Sequence, residues 1–478
     1  MSDCCSAEDV RHTQPDILVI GGGSAGFSAA ITAAELGANV VIAGDGTIGG
    51  TCVNVGCVPS KNLIRATEVV HKGNSADRFD GLRGAVEISS WKALVQQKQQ
   101  LVNSLRKAKY EDLLPEYPNI SYVTGRALFT GNGIDVDVHG TCYHAKKIIL
   151  ASGASAALPP INGIQSVPVL DSTRALELEE LPGSLLIIGG GVIGCELGQM
   201  FSRAGVEVTI CCRSRLLPDA EPEVSAALTE HLREEGVTIC EGIGYQKIEQ
   251  DNKGIRLTCQ TDDGEKVVNA DQVLAAAGRR PNTRSLHLDR AGIELNPKEG
   301  VKINDYMQTS NPDVYAVGDV TGKDMYVYMA AYGGKIAARN ALNGNTSSYD
   351  SGTMPAVVFT DPQVATVGLT EAQAIAKGRN VKTSVVTLDN VPRFIASRET
   401  SGLIKLVADN QTDKLLGATV LAPEAGDSIQ TVVMALKAGL TAEELGETIF
   451  PYLTAVEGLK LAAQGFTKDV KKLSCCAG

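Results

Sequence analysis

Two glycine-rich turns, each placed between an apolar run and a helix-forming segment, constrain the fold of this chain most. The first run, Asp16-Ile17-Leu18-Val19-Ile20, leads into Gly21-Gly22-Gly23-Ser24-Ala25-Gly26, and small residues then continue at helical spacing. The second run, Leu185-Leu186-Ile187-Ile188, leads into Gly189-Gly190-Gly191-Val192-Ile193-Gly194 and another helical pattern. In such turns the first glycine permits the bend, the second admits a pyrophosphate, and the third lets helix and strand pack closely. Two copies predict an α/β chain with two doubly wound dinucleotide-binding domains.

The residues that end the second strand of each unit predict how each ribose is held. The run 39–43 is followed by Gly44-Asp45, so either Asp45 binds the ribose hydroxyls of the first nucleotide or another group holds that ribose. The run 207–212 ends in Arg213-Ser214-Arg215 and offers no carboxylate. A carboxylate suits a ribose 2′-hydroxyl, whereas arginines suit a 2′-phosphate. The second site is therefore predicted to prefer NADPH.

Length and charge narrow the class of protein. The 478 residues are enough for about three domains. A net charge of −11 leaves no excess of Lys and Arg for the phosphates of nucleic acid or of an anionic membrane. The first 16 residues lack a secretory signal pattern, and no apolar run is long enough to span a bilayer. These observations predict a cytoplasmic protein, in which a disulfide is catalytic rather than structural.

Two cysteine pairs stand out among the twelve cysteines. Cys52 and Cys57 flank Val53-Asn54-Val55-Gly56, and Cys475 and Cys476 are adjacent near the C-terminus. Adjacent Cα atoms are about 3.8 Å apart, less than the roughly 4.4–6.8 Å that an unstrained disulfide spans. The C-terminal pair therefore suits two thiolates that bind a soft metal ion, and the alternative is an incidental pair on a frayed end. Six others are expected to be buried small residues: Cys142, Cys195, Cys211, Cys212, Cys240 and Cys259.

The segment around the first pair carries a resemblance to a family. Residues 49–61, GGTCVNVGCVPSK, resemble the redox-active signature of the flavoprotein pyridine nucleotide-disulfide oxidoreductases, and the likeness covers nearly the whole chain. Residues 151–153 and 276–282 match the crossover segments of that family, and residues 309–319 resemble its second flavin motif. The resemblance implies an FAD-containing homodimer with a glutathione reductase-like fold. It further implies an FAD-binding domain over 16–155 and 285–345, an inserted NADPH-binding domain over 156–284, a C-terminal α+β dimerisation domain over 346–465, and tails over 1–15 and 466–478.

The same resemblance implies roles for individual residues. Cys57 is the thiol next to the flavin, Cys52 is the exchanging thiol, and Asp319 binds the ribityl chain of FAD. Lys61 lies near the flavin and pairs with Glu196. The expected cofactor-binding residues are Gly21, Gly23, Ser24, Ala25, Gly26, Asp45, Gly50, Thr51, Lys61, Ser152, Gly153, Gly189, Gly191, Gly194, Arg213, Arg215, Gly278, Arg279, Gly318 and Asp319.

One C-terminal segment departs from the disulfide-reducing members of the family. Those members carry a His-Pro-Thr segment whose histidine serves as acid and base, whereas this chain has Phe450-Pro451-Tyr452 and no histidine beyond His287. The reference pKa of tyrosine is about 10 against about 6.5 for histidine, so Tyr452 is a poor proton shuttle. Its oxygen can instead contact a metal. Tyr452 and Glu457 are the expected catalytic residues of this segment.

Residues 389–393, 450–452 and 472–478 resemble the mercury(II)-reducing members of the family. The resemblance implies that Cys475 and Cys476 of one subunit take thiol-bound Hg(II) and pass it to Cys52 and Cys57 of the other. Reduced FAD then supplies two electrons, and Hg(0) leaves. The expected metal ligands are Cys52, Cys57, Tyr452, Cys475 and Cys476.

Two departures from those members concern the metal path. An N-terminal heavy-metal-binding domain is not expected here, which leaves Cys4 and Cys5 as a candidate collecting pair. Val169 stands where a second metal-site tyrosine is frequent, and valine cannot form a side-chain hydrogen bond.

Two alternative functions remain open at this point. One is a disulfide oxidoreductase of the dihydrolipoamide or glutathione type, which would consume reduced nucleotide with a disulfide. The other is a non-catalytic protein that sequesters Hg(II) without consuming NADPH.

Overall fold

The computed structural model describes residues 13–252 and 254–472, which divide into two compact units. The first contains the chain up to Asn62, Ala93–Ala157 and Gly278–Ser351. The second contains Leu63–Lys92, Leu158–Ala277 and the chain from Gly352 onward. Each unit is built on a five-stranded parallel sheet that carries one of the glycine turns. The predicted α/β class with two doubly wound domains is therefore confirmed, whereas the proposed domain boundaries stay predictions.

The parallel sheet of the first unit has the strand Ile17–Ile20 at its centre. All four of its residues are buried, as expected for a strand covered on both faces. The strand order is Val314–Ala316, Lys147–Leu150, Ile17–Ile20, Val40–Gly44 and Ile120–Thr124. Carboxyl ends of parallel strands meet at one edge, so this order gathers the first glycine turn, Asp45 and Ser152 there.

Two helices of the first unit pack against each other through small residues. A Cβ on Gly334 of the helix Val327–Asn343 would lie 2.5 Å from the Ala25 carbonyl oxygen, so this contact requires glycine. The other secondary structure of this unit is the helices Ser24–Glu35 and Gly50–Asn54, the antiparallel strands Ala127–Phe129, Val136–Val138 and Thr141–Tyr143, and the antiparallel pair Ala154–Ala156 and Arg279–Pro281. The helices Cys57–Asn74 and Trp91–Arg106 belong partly to each unit.

The parallel sheet of the second unit repeats this plan. Its strand order is Thr238–Cys240, Glu207–Cys211, Ser184–Ile188, Gln272–Ala275 and Val169–Leu170. An antiparallel meander follows in the strands Gly244–Asp251, Gly254–Thr261 and Gly264–Ala270. Helices of this part are Ser172–Leu176, Val192–Arg203 and Pro222–Glu234. The six cysteines expected to be buried are all buried thiols.

The rest of the second unit is a five-stranded antiparallel sheet covered by helices. Its strand order is Pro355–Val358, Gln363–Gly368, Leu415–Ala422, Leu403–Asp409 and Val381–Thr387. The helices are Glu371–Ala376, Pro392–Ser397, Ala425–Ala438, Ala442–Glu447 and Glu457–Gln464. Lys405 on this sheet is 2% exposed and pairs with Glu221 at 3.0 Å and with Glu371 at 2.7 Å. A buried charge with these partners fixes the sheet against the start of the helix Pro222–Glu234.

Across residues 13–252 and 254–472, the helices are too short or too polar to cross a lipid bilayer.

Candidate active site

The first glycine turn opens a helix whose N-terminus is available to a ligand. Gly21 has φ +127°, and a Cβ there would lie 2.1 Å from the Ala151 carbonyl oxygen. A Cβ on Gly26 would lie 1.9 Å from the Gly21 carbonyl oxygen, so both positions require glycine. The N-cap residue Gly23 supplies no side-chain cap to the helix Ser24–Glu35. The backbone N–H groups of Ser24, Ala25 and Gly26 can therefore bind a phosphate.

A cavity of about 690 Å³ lies over this turn. Its lining joins segments that are far apart in sequence, among them Gly21, Gly23, Asp45, Gly50, Thr51, Ser152, Gly153 and Asn282. Ser152 Oγ donates to the Asn282 carbonyl oxygen at 2.9 Å, and Asn282 Nδ2 donates back to the Ser152 carbonyl oxygen at 2.9 Å. This cavity combines the glycine turn, the uncapped start of a helix and the Asp45 carboxylate after the second strand. Such a combination fits a dinucleotide. Seven of the predicted cofactor-binding residues thus meet in one cavity.

Asp319 carries the acidic group of the second flavin-like motif. Burial raises the pKa of its carboxyl, and the positive charge of Arg279 opposes that rise. The Arg279 Nε atom lies 3.8 Å from Asp319 Oδ2, while Arg279 Nη2 donates to the Ala154 carbonyl oxygen. Gly318 has φ +69°, and a Cβ there would lie 3.2 Å from the Cβ of Ala25. Gly278, with φ +112°, directly precedes the strand Arg279–Pro281, and its carbonyl oxygen accepts a hydrogen bond from Ala157 N at 3.0 Å.

Cys52 and Cys57 are brought together by a short break between two helices. Cys52 lies in the helix Gly50–Asn54, and Cys57 begins the helix Cys57–Asn74. Hydrogen bonding to Cys57 and burial raise the pKa of the Cys52 thiol, while the charge of Lys61 opposes the rise. Cys57 occupies the positive end of an 18-residue helix, a position that stabilises a thiolate. The first negative charge of this pair therefore belongs on Cys57.

Two tyrosines near this pair were not predicted from the sequence. Burial raises the pKa of Tyr110, and the charges of Cys52 and Cys57 raise it further. The Tyr110 hydroxyl shares a hydrogen bond of 3.1 Å with Ser24 Oγ, and its ring meets Phe27 edge-on at 5.0 Å. Burial also raises the pKa of Tyr328, with Cys57 among the contributing charges. Neither tyrosine belongs to a motif of fixed spacing, so only the tertiary structure reveals their proximity to the thiols.

The second glycine turn has nearly the same geometry as the first. Gly189 has φ +120°, and a Cβ on Gly194 would lie 2.0 Å from the Gly189 carbonyl oxygen. The N-cap residue Gly191 gives no side-chain cap to the helix Val192–Arg203. This turn therefore also presents free backbone donors suited to a phosphate.

The two arginines predicted to select the nucleotide differ in their contacts. Arg215 Nη2 donates to the Pro218 carbonyl oxygen at 3.0 Å and to the Ala220 carbonyl oxygen at 2.8 Å. Arg213 is exposed just after the strand Glu207–Cys211. The guanidinium of Arg215 thus supports its own turn, which leaves Arg213 as the better candidate for a 2′-phosphate.

Lys61 and Glu196 lie in different units. Lys61 lies one turn inside the helix Cys57–Asn74, in the part of that helix that belongs to the first unit. Glu196 is 4% exposed in the second unit, where its Oε1 accepts a hydrogen bond from Phe359 N at 2.9 Å. Their pairing stays a prediction.

Glu457 holds the backbone next to Tyr452. Glu457 Oε2 accepts a hydrogen bond from Leu453 N at 3.1 Å, and Leu453 has the unusual φ of +62°. Tyr452 is 47% exposed, and Ile449 on the same loop is 94% exposed. Glu457 therefore acts on the shape of the loop that carries Tyr452. Cys4, Cys5, Cys475 and Cys476 lie outside the described residues.

Family models match nearly all of the chain. Residues 15–334 match the model described as pyridine nucleotide-disulphide oxidoreductase. Residues 354–463 match the dimerisation domain of the same group. Members of this family use a flavin and a nicotinamide nucleotide, in agreement with the two glycine turns.

Similar proteins were found among curated sequences and solved structures. The mercuric reductase of Lysinibacillus sphaericus is 48% identical over 98% of this chain and 86% of its own length. That of Staphylococcus aureus is 47% identical over 98% of this chain and 85% of its own length. The structure of the HOCl-induced flavoprotein disulfide reductase RclA from Escherichia coli is 31% identical, with a TM-score of 0.82, and the match covers 94% of this chain and 99% of that one. The family match agrees with the paired cysteines and the two nucleotide turns. This chain therefore belongs to the pyridine nucleotide-disulphide oxidoreductases.

Proposed function

We propose that the protein is a homodimeric, NADPH-dependent reductase that converts Hg(II) to Hg(0) and contains FAD. The observation that carries the proposal is the position of the thiol pair Cys52 and Cys57. Gly50 and Thr51 line the dinucleotide cavity, and Cys52 follows them directly in the same helix. The names of the curated relatives support the choice of Hg(II) as substrate.

The polypeptide prepares the thiol pair for redox chemistry. The N-terminus of the helix Cys57–Asn74 favours a thiolate on Cys57, and the charge of Lys61 opposes the rise in the pKa of the Cys52 thiol. The raised pKa of Cys52 keeps that thiol protonated until it exchanges. Bound FAD would supply the two-electron relay between nicotinamide and thiols. Gly21, Gly26 and Asp319 would hold that cofactor, and Lys61 paired with Glu196 would position the nicotinamide side of the site.

Delivery of Hg(II) is ligand exchange between soft thiolates, in which each sulfur replaces another at nearly equal free energy. Cys475 and Cys476 of one subunit are proposed to pass the ion to Cys52 and Cys57 of the other. Tyr452 lies on the same loop as the exposed Ile449 and Leu453. Its hydroxyl oxygen would bind the incoming ion. Exposed apolar side chains on this loop of the dimerisation domain suit contact with a second copy of the chain. Reduced thiols of this kind persist in the cytoplasm, where we place the protein.

The test compares electron acceptors with the purified, flavin-containing protein. We expect NADPH oxidation to depend on thiol-bound Hg(II) and to be negligible with glutathione disulfide or lipoamide. Cys52→Ala and Cys57→Ala should abolish the Hg(II)-dependent rate while flavin stays bound. Cys142→Ser, at a thiol outside this pair, is the matched control and should keep the parent rate. Normal Hg(II) turnover in either variant of the pair would exclude its redox role.

A second candidate is a disulfide reductase, which the name of the RclA relative favours. A disulfide-dependent rate in the same assay, exceeding the rate with Hg(II), would establish that function. Binding of Hg(II) without NADPH oxidation would instead indicate a sequestering protein.

A further inference from the structure

A hairpin in the first unit carries metal-ligating side chains on one face. Its strands are Val136–Val138 and Thr141–Tyr143, with Val136 paired to Tyr143 and Asp137 paired to Cys142. Val136, Val138 and Tyr143 are buried in the core of the unit. Successive side chains of a strand point to opposite faces, so Asp137 and Cys142 share the other face.

The strand register adds a second pair to that face. One step beyond the pair Val136 and Tyr143, the same register sets Asp135 opposite His144. Asp135 Oδ1 lies 2.9 Å from His144 Nδ1. The ligand atoms of Asp135, Cys142 and His144 all lie within 4.8 Å of one another. A carboxylate, a thiol and an imidazole thus converge in space.

Hydrogen bonds around this group fix the carboxylates of Asp135 and Asp137. Asn132 Nδ2 donates to Asp135 Oδ2 at 3.0 Å, which leaves Oδ1 directed at the cluster. Asp137 Oδ1 accepts from Gly140 N at 3.2 Å, and within the described residues its buried Oδ2 has no hydrogen-bond partner. An unsatisfied buried carboxylate oxygen is costly unless a cation or proton accompanies it. The side chains of His144 and Asp135 are 36% and 16% exposed, so an ion can reach the site from solvent.

We propose that Asp135, Cys142 and His144 bind one divalent cation of the zinc class, with the carboxyl group of Asp137 on the same face of the hairpin. Zinc binds thiolate, imidazole and carboxylate groups at about 2.0–2.3 Å, so donors within 4.8 Å of one another need only small movements. Binding releases the Cys142 proton, and the thiolate and the Asp135 carboxylate then neutralise the ion. A mixed nitrogen, oxygen and sulfur set differs from the all-thiolate pairs proposed for Hg(II). The ion would tie the turn at Asn132–Asp135 to the strand that carries Cys142.

The experiment uses the full-length chain in which Cys4, Cys5, Cys52, Cys57, Cys475 and Cys476 are changed to Ser, because those thiols would compete for metal. After chelation of bound metal, the chain is titrated with Co(II) and then with Zn(II). We expect one Co(II) per chain with a thiolate-to-cobalt absorption band, displacement of Co(II) by Zn(II), and a higher thermal-unfolding midpoint with Zn(II).

Variants in that chain assign the ligands. Cys142→Ser should remove the thiolate band, and His144→Gln or Asp135→Asn should weaken binding more than Asn132→Ala does. Loss of a hydrogen-bond partner that orients a metal ligand, as Asn132 orients Asp135, costs about 10–100-fold in affinity. His139→Gln changes another histidine of the same hairpin and should bind like the parent.

Absence of a thiolate band in the titration of the six-serine chain, whose cooperative thermal unfolding shows that it is folded, would overturn the proposal without any further substitution. A band that survives Cys142→Ser, or parent-like affinity in His144→Gln, would overturn it equally. In the chain with all its cysteines, Cys142→Ser should leave Hg(II)-dependent NADPH oxidation unchanged, which separates this site from the redox pair.

Discussion

Arg213 and Arg215 are the same residue type and lie close in sequence, but they make different contacts. The guanidinium of Arg215 is bound to two backbone carbonyl oxygens of the turn that follows it, at Pro218 and Ala220. Arg213 is exposed at the end of the strand Glu207–Cys211. We therefore propose that selection of a 2′-phosphate depends mainly on Arg213.

Arg213→Ala should lower the preference for NADPH over NADH by about ten- to hundredfold. A charge-assisted hydrogen bond contributes roughly 1.5–3 kcal/mol, and about 1.4 kcal/mol corresponds to a factor of ten. The measurement is kcat/KM with each nucleotide. Arg215→Ala is the matched comparison, and it should affect both nucleotides to a similar degree because it loosens the turn. An unchanged nucleotide ratio in Arg213→Ala would refute the assignment.

Glu235 is the residue with the clearest pH signature. Burial raises the pKa of its carboxyl, but hydrogen bonds from His231 and Arg203 and nearby positive charges outweigh this and lower it to about 2. The Arg203 side chain is only 4% exposed, and its Nη2 lies 2.6 Å from Glu235 Oε1. Since the folded-state pKa lies below the ordinary value of 4.5, this carboxylate stabilises the fold fully above about pH 4.5. The contribution is lost as the pH falls toward 2.

Glu235→Gln should therefore destabilise the protein at neutral pH, and the loss of stability should become smaller as the pH falls. Loss of one partner from a buried ion pair costs roughly 3–5 kcal/mol. The thermal-unfolding midpoint of the variant should lie below that of the parent at pH 7, with the difference narrowing below about pH 4.5. Glu234→Gln, at the exposed neighbouring position, is the control and should stay near the parent. A difference that does not depend on pH would contradict the linkage.

At the scale of elements, the two glycine turns require glycine at matching positions. Gly21 and Gly189 have φ of +127° and +120°. Gly26 and Gly194 each sit where a Cβ would come within 1.9 and 2.0 Å of a backbone oxygen of the preceding turn. Gly191 differs from Gly194, because a Cβ on Gly191 would meet no heavy atom within 4 Å. The packing of the helix against the turn therefore requires Gly194, and we propose that Gly191 is needed only for the approach of a bound nucleotide.

Gly191→Ala should raise the KM for NADPH while leaving the unfolding midpoint close to that of the parent. Gly194→Ala should both lower the midpoint and impair NADPH use, because the helix and the turn must separate to admit the methyl group. Flavin content, measured by absorbance, should be unaffected in Gly191→Ala. A marked fall in the midpoint of Gly191→Ala would show that this glycine has a structural role.

At the scale of the whole molecule, the proposed redox thiols Cys52 and Cys57 lie in the first unit, and the proposed second pair lies in the C-terminal tail. The two units each hold a nucleotide turn, and the second also holds the antiparallel sheet of the dimerisation domain. Ile449, Tyr452 and Leu453 are exposed on one loop of that domain. We propose that a homodimer covers this loop and that Cys475 and Cys476 of one copy pass Hg(II) to Cys52 and Cys57 of the other.

Changing Cys475 and Cys476 together to Ala should leave flavin reduction by NADPH intact but cripple turnover with thiol-bound Hg(II). Small complexes such as bromide or cyanide can reach Cys52 and Cys57 directly, so turnover with them should fall less. Steady-state rates with each complex provide the measurement. Parent-like rates with every complex would mean that the tail pair plays no part in delivery.

Mixing that variant with a Cys52→Ala, Cys57→Ala chain tests the geometry of delivery. Transfer between subunits predicts that mixed dimers regain one working site. Transfer within one chain predicts no recovery of turnover.

The sequence by itself determined the features that depend on a few adjacent residues. Glycines at positions of positive φ, apolar runs of strand length and the spacing of Cys52 and Cys57 are local requirements, so the α/β class and the two nucleotide turns were predictable. The buried cysteines were predictable as well, because a small apolar side chain favours the interior.

Only the tertiary structure decided which side chains meet across elements. The contacts of Arg215, the place of Tyr110 beside the thiols and the carboxylates around Lys405 depend on how distant segments pack. The convergence of Asp135, Cys142 and His144 depends on strand register, and a shift by one residue would turn these side chains to the other face. Register and packing are set by the whole core, which no short segment of sequence specifies.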